Sequence, residues 1–144
     1  MKDEGQSGPD FVHFSLTPHF FQPRGLPAMS HDLKHRTKEF AVRIIRLYAS
    51  LPRTVEAQVV GKQLLRSGTS VGAHYRESQY AKSDPDFISK IQGGLQELEE
   101  TAYWLELLAE MNLYSLERLQ PIQRETSELI AIFVTIAKKV KIRL

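Results

Sequence analysis

The chain has 144 residues, of which 42% are hydrophobic and 25% are charged, values typical of one soluble globular domain. It contains no cysteine, which excludes disulfides and thiolate catalysis and favours a cytoplasmic location. No apolar run approaches the roughly 20 residues of a membrane helix, and the acidic start MKDEGQSGPD is not that of a secretory signal peptide. We therefore expect no membrane association.

The net charge of +2 is unevenly distributed along the chain. Residues 31–82 carry +6, residues 83–117 carry −7 and residues 118–144 carry +4. In one interpretation, acidic and basic helices pack side by side and form ion pairs across their edges. In the other, the basic helices form a face that binds a polyanion.

The first 30 residues lack periodicity and contain four of the seven prolines. This composition predicts a flexible N-terminal extension over 1–30, followed by one folded domain over 31–144. Met29 directly precedes the first helical pattern and is a second candidate for the start of the native protein.

Four segments show helical periodicity and none shows strand alternation. The first helix is predicted over about 31–50, where Pro52 ends it, and its apolar stripe consists of Leu33, Thr37, Phe40, Ile44, Leu47 and Leu51. Thr54 is a suitable N-cap for a second helix that continues to about residue 80.

Asp84 is expected to cap a third helix, with Pro85 at its first position, and Asn112 ends it. Ser115 is a suitable cap for a fourth helix, in which Pro121 introduces a kink or marks the true beginning. Short connections between four amphipathic helices predict an all-α fold, an antiparallel up-down-up-down four-helix bundle.

The third and fourth helices are apolar over more of their circumference than one bundle core requires. This excess predicts a self-association surface, although large side chains can also cover a bundle edge. The candidate interface residues are Tyr103, Trp104, Leu107, Leu108, Met111, Ile130, Ile132 and Val134.

Three glycines form a ridge almost without side chains along the second helix, at Gly61, Gly68 and Gly72. Because each costs a helix about 1 kcal/mol relative to alanine, the ridge indicates that another backbone approaches closely. That backbone could belong to a neighbouring helix, to a second subunit or to a ligand.

The stretches QLLRSGTSVGAHYRES and SDPDFISKIQGGLQELEETAYWLELLAE resemble the family of proteins encoded in 23S rRNA intervening sequences. The matching positions are Gln63, Arg66, Ser70, Val71, Ala73, Asp86, Phe87, Glu97, Glu100, Trp104 and Leu105. Two features depart from the family pattern. His74 replaces the usual asparagine, and Gly93-Gly94 replaces better helix formers, which predicts a locally loosened third helix.

The resemblance implies a four-helix bundle that assembles as a ring, with a pentamer expected. The family includes the accessory variability protein of diversity-generating retroelements, a basic scaffold for a reverse transcriptase and nucleic acid. For most members it implies no defined molecular activity.

The sequence offers little catalytic chemistry. His31 and His35 lie one turn apart but lack a third ligand, so a solvated pair is the better interpretation than a metal site. His74 is expected to be half-buried and hydrogen-bonded. We predict no catalytic residue, no cofactor and no metal, and hence a protein that is not an enzyme.

Basic residues on the first two helices predict a nucleic-acid interface for RNA or DNA. The candidates are Arg36, Arg43, Arg46, Arg53, Lys62, Arg66, Arg76 and Lys82. Further basic residues lie at the C-terminus, from Lys138 to Arg143. The alternative is that these are solubility charges, with Arg66 in a salt bridge, and that the bundle is a scaffold for a protein partner such as a polymerase.

Overall fold

A computed structural model describes residues 30–143, and within them the chain forms four helices and no strand. The helices are α1 (Ser30–Ala49), α2 (Val55–Ser78), α3 (Asp84–Glu110) and α4 (Leu116–Lys141). Consecutive helices pack against each other through short turns, which confirms the all-α four-helix bundle. The predicted extension over 1–30 and the alternative start at Met29 lie outside the described residues. No helix in this part of the chain is long and apolar enough to cross a membrane.

Two helices begin at side-chain caps. The Thr54 hydroxyl accepts a hydrogen bond from the Ala57 N–H at 3.4 Å, and the Ser83 hydroxyl accepts one from the Asp86 N–H at 3.2 Å. The expectation that Asp84 caps α3 was therefore wrong by one residue. Ser83 has the extended backbone of a cap, and Asp84 lies in the first turn, where its charge suits the helix dipole.

The end of α3 is set by Asn112, as the sequence predicts. Asn112 has a left-handed φ of 53°, and the Leu113 N–H donates to the Leu108 carbonyl at 3.0 Å. This geometry closes a helix by satisfying its last carbonyls. Helix α4 begins at Leu116 and includes Pro121, so the proline does not mark its beginning.

The core fills the space between the four helices. The whole predicted stripe of α1 is buried, and the largest side chains that are almost fully inaccessible include Phe40, Phe87 and Phe133. Leu108 is also fully buried, so its assignment to a self-association surface was wrong. It faces the core of its own bundle and offers nothing to a second subunit.

The glycine ridge of α2 lies against α1. A Cβ at Gly61 would lie 2.7 Å from Leu51 Cδ1, one at Gly68 would lie 2.7 Å from Ile44 Cγ1, and one at Gly72 would lie 3.3 Å from the Thr37 hydroxyl oxygen. The sequence left a neighbouring helix, a second subunit or a ligand as the partner of this ridge. In the structure the ridge packs against a neighbouring helix.

Small residues also line the contact between α2 and α3. The Thr101 hydroxyl donates to the Ser67 hydroxyl at 2.8 Å, and both residues are fully buried. Helices α1 and α4 have no such small-residue contact and stand further apart than any sequential pair. We call the surface between α1 and α4 the α1–α4 seam.

We expect Gly68→Ala to lower the free energy of unfolding by about 1–2 kcal/mol. The added methyl meets the branched, fully buried Ile44, and such overpacking exceeds the helix-propensity gain of about 1 kcal/mol. Gly72→Ala is the matched control, because its Cβ would make contacts of 3.3–3.4 Å. It should unfold within about 0.5 kcal/mol of the parent in urea titrations. Equal effects of the two substitutions would contradict the assignment.

The two departures from the family pattern form one feature of the structure. A Cβ at Gly93 would lie 2.8 Å from the His74 imidazole, so glycine provides the space that the ring occupies. Helix α3 continues unbroken through Gly93 and Gly94, and the predicted loosening was wrong. The prediction that His74 is hydrogen-bonded is not met at Nδ1. This atom is buried and has no hydrogen-bond partner among the described residues.

We expect the effect of Gly93→Ala on the free energy of unfolding to change sign with the residue at position 74. In the parent, the new methyl collides with the His74 ring and should lower stability; with His74→Ala, the same change should raise it by up to about 1 kcal/mol through helix propensity. A double-mutant cycle measured by urea unfolding should give a coupling of at least about 1 kcal/mol. Additive effects would show that the two positions do not interact.

Candidate nucleic-acid interface

Arg36 forms ion pairs with two glutamates of α4. Its guanidinium donates to Glu125 at 2.8 and 3.0 Å and to Glu128 at 2.9 Å. Burial opposes the charge of Arg36, but the hydrogen bonds and attraction from Glu125 outweigh it and raise its pKa. Arg36 therefore bridges the α1–α4 seam and is not available to a phosphate.

Arg66 is held in the same way by α3. Its guanidinium forms ion pairs with Glu97, at 3.3 Å, and with Glu100, whose carboxylate also accepts the Trp104 indole N–H at 3.3 Å. The hydrogen bond from Arg66 lowers the pKa of Glu100 below its usual value. His74 Nε2 lies 4.0 Å from Glu97. The salt-bridge alternative for Arg66 is thus the arrangement observed.

The remaining six predicted cations are unpaired. Among the described residues, no carboxylate oxygen lies within 4.0 Å of the side-chain nitrogens of these six residues, which are Arg43, Arg46, Arg53, Lys62, Arg76 and Lys82. The two paired arginines, Arg36 and Arg66, do not share one face. Arg36 points to α4 on one side of the bundle, and Arg66 points to α3 on another.

Arginines gather at one end of the α1–α4 seam. Helices α1 and α4 run antiparallel, and Arg36 is level with Glu125. Seven residues further along α1 is Arg43, and seven residues back along α4 is Arg118, so these two arginines come to about the same level, roughly two turns away. Arg46 lies about one turn further along α1, and Arg53 lies in the connection that follows α1.

We call Arg43, Arg46, Arg53 and Arg118 the seam arginines. Arg118 was not among the sequence candidates, because nothing in the local pattern of α4 distinguishes it. Its guanidinium carbon lies 5.1 Å from the centre of the Tyr114 ring, which is half-buried at the same end of the bundle. The exposed acids nearest in sequence, Glu39, Glu56 and Glu117, are fewer than the four arginines.

The chemistry that this arrangement supports is binding of anions. Arginine forks match phosphate oxygens in two hydrogen bonds, and an aromatic ring beside them can stack on a base. No cluster of three or more His, Cys, Asp or Glu side chains suited to a metal occurs in the described part of the chain. The side chain of His31 lies outside it. Burial raises the pKa of Tyr75 to about 12, which keeps this core phenol neutral.

The predicted association residues are only partly outward-facing. Tyr103 and Met111 are exposed by 52% and 59%, whereas Trp104, Ile130 and Ile132 pack against the core, and Leu107 and Val134 are half-buried. Apolar residues that were not predicted to lie at a surface are also exposed, at Ile45, Val55 and Val59.

We expect the contribution of Arg66 to stability to be small and to depend on pH. Arg66→Ala should lower the free energy of unfolding at pH 7 by no more than about 1 kcal/mol, because the ion pair is screened by solvent. The folded pKa of Glu100 lies below its unfolded value. The contribution is therefore complete above about pH 4.3 and is lost as the pH falls through the folded pKa.

Urea titrations of the parent and Arg66→Ala from pH 7 to pH 3 measure this. The difference between their free energies of unfolding should stay constant down to about pH 5 and shrink towards pH 3. A difference that is as large at pH 3 as at pH 7 would contradict the ion-pair assignment.

A family model and solved structures match this chain. The family model described as 23S rRNA-intervening sequence protein matches residues 30–135. A crystal structure from Bacteroides thetaiotaomicron, of a protein with unknown function from the S23 ribosomal protein family, is 40% identical, with a TM-score of 0.69. That match covers 76% of this chain and 97% of that chain. No curated protein matches the chain.

Proposed function

The chain belongs to the family of 23S rRNA-intervening sequence proteins, and from that premise we propose that it is a non-enzymatic bundle that binds single-stranded nucleic acid through its seam arginines. The single observation that supports this function most is the contrast within one row of arginines on α1. Arg36 is neutralised by two glutamates of α4, while Arg43 and Arg46 have no ion-pair partner among the described residues.

The seam can accept phosphates because its arginines are spaced along the bundle. By helical spacing, Arg43 of α1 and Arg118 of α4 come to about the same level of the bundle, and Arg46 and Arg53 follow further along the chain. Successive backbone phosphates of an extended strand can then each accept hydrogen bonds from a separate arginine guanidinium group. Tyr114 provides the aromatic face on which a base can stack without sequence preference.

A single strand is preferred to a duplex as the ligand because the seam has no feature for reading a duplex groove. Within residues 30–143 all four helices belong to the bundle and none is left over to enter a major groove, and none of the seam side chains is an amide suited to base edges. The expected binding is therefore electrostatic, tolerant of sequence and sensitive to salt.

Fluorescence anisotropy of a labelled poly-U 20-mer, titrated with the full chain at several salt concentrations, tests this function. The parent should bind at low salt and weaken linearly in log salt. The triple variant Arg43→Ala, Arg46→Ala, Arg118→Ala removes three phosphate contacts, so the slope should fall by about 2. Affinity at low salt should fall at least tenfold.

The matched control removes three cations elsewhere, as Lys138→Ala, Lys139→Ala, Lys141→Ala. These residues lie at the opposite end of the bundle, at the end of α4, and should change the slope by less than about 0.7, one phosphate contact. Equal losses in the two triple variants would contradict a site at the seam. The absence of binding by the parent at low salt would reject nucleic acid as the ligand.

A protein-interaction scaffold is the second candidate function. The observation in its favour is the exposure of Tyr103 and Met111 on α3, an acidic helix that would repel a polyanion. Binding that survives high salt and is lost on Tyr103→Ala would favour this candidate over the first.

A further inference from the structure

The edge between α2 and α3 that holds Arg66 continues as an apolar surface. Arg66 of α2 is level with Glu97 and Glu100 of α3, with which it forms ion pairs. Because the two helices run antiparallel, seven residues back along α2 come level with seven residues further along α3, and a step of seven keeps the same face of each helix. The apolar side chains that follow the ion pairs on these two faces are Val55, Val59, Trp104, Leu107 and Met111.

This surface is open to solvent in the described part of the chain. Val55 and Val59 are exposed by 78% and 59%, and Met111 is exposed as well. Trp104 is half-buried, and its ring packs against the exposed ring of Tyr103 at a centroid distance of 4.9 Å. Adjoining exposed apolar side chains mark a contact site, whereas scattered ones do not. We call Tyr103 and the five residues named above the α2–α3 apolar surface.

A segment of this chain that lies outside the described residues has the composition to cover this surface. Residues 11–21, FVHFSLTPHFF, contain six apolar side chains, among them four of the chain's seven phenylalanines, and no Asp, Glu, Lys or Arg. Segments that stay in solvent are poor in aromatic residues, so this composition favours burial against an apolar partner. Because the segment is uncharged, docking it would bury no charge of its own and would leave Lys62 and Glu106, at the margin of the surface, in water.

The segment can reach the surface from the start of α1. Thr37 lies against Gly72, so Ser30, two turns earlier, comes level with the end of α2. From that end to the level of Arg66 is about 20 Å along the bundle, and crossing α2 adds about 10 Å sideways. The connection from residue 21 to Ser30 can span about 30 Å, which is enough. The segment itself, when extended, is longer than the surface, which occupies about 17 Å of α2.

We propose that residues 11–21 dock on the α2–α3 apolar surface of their own chain, running parallel to α2. Their phenylalanines supply apolar area that is buried against Val59 and Trp104, and they form aromatic pairs with Tyr103. The connection to Ser30 holds the segment at a high effective concentration, so a contact too weak to form between separate molecules is occupied. The apolar part of the extension is then docked, in place of the flexibility that its composition predicts.

Docking would cover the surface that a protein partner needs and would leave the nucleic-acid site open. Tyr103 and Met111, which support the scaffold candidate, belong to the α2–α3 apolar surface. A partner would therefore have to displace residues 11–21, which would act as a competitor within the same chain. The seam arginines lie along α1 and α4, on another side of the bundle. The proposal is independent of nucleic-acid binding, and either one can fail without the other.

Fluorescence of Trp104 tests the docking directly, because this residue is the single tryptophan of the chain. Acrylamide quenching is measured on the full chain over a range of protein concentrations. The segment variant Phe14→Ser, Leu16→Ser, Phe20→Ser should uncover Trp104 and raise its quenching constant about twofold or more. The surface variant Val59→Glu should have the same effect, and the two variants combined should give no further increase, because both break one contact.

The matched control replaces polar residues of the same segment, as His13→Ser, His19→Ser, and should be quenched as the parent is. Circular dichroism checks that every variant retains its helices. The proposal is overturned if the parent and the segment variant are quenched equally, or if the effects of the segment and surface variants add. It is also overturned if the protection of Trp104 disappears on dilution, because an intramolecular contact does not depend on concentration. That last result would show that a second molecule covers the surface.

Discussion

The close approach of α1 and α3 to α2 is the constraint on which the rest of the structure depends. On the α1 side it requires Gly61, Gly68 and Gly72, where a Cβ would meet side chains of α1 or of the turn after it at 2.7–3.3 Å. On the α3 side it uses the hydroxyl pair of Ser67 and Thr101. Glycine weakens an isolated helix, so the free energy lost in α2 must be regained by packing. Helices α1 and α4 approach each other less closely than any sequential pair does.

This asymmetry determines which charges are neutralised inside one chain. Where helices pack closely, their edge charges meet, as Arg66 meets Glu97 and Glu100. Across the wider α1–α4 seam, only Arg36 reaches acids on α4, and the arginines nearer the other end of the seam find none among the described residues. The first interpretation of the uneven charge therefore holds for Arg36 and Arg66, which form ion pairs across helix edges. The other cations of α1 have no ion pair among the described residues, and we propose that they bind a ligand.

Local patterns predicted the elements better than they predicted the surfaces. Periodicity, Thr54, Pro52 and Asn112 gave the four helices nearly residue by residue, because apolar spacing and caps act within one helix. The resemblance to the 23S rRNA intervening-sequence family, based on residues such as Arg66 and Trp104, is confirmed by the family match. The pairing of Arg36 was not predictable, since it depends on the register between α1 and α4. Arg118 was missed for the same reason. His74 and Gly93 were noted separately, and only the distance between them shows that they are one feature.

The central claim is that arginines of one row differ in availability, and one spectrum can test it directly. Arginine Nε–H signals of the isotope-labelled chain would be recorded by two-dimensional NMR at low salt, with and without an unlabelled U₁₀ oligonucleotide. We predict that the signals of Arg43, Arg46 and Arg118 shift, while those of Arg36 and Arg66 stay in place because glutamates already hold them. Shifts spread evenly over all arginines, or confined to residues outside the seam, would contradict the account.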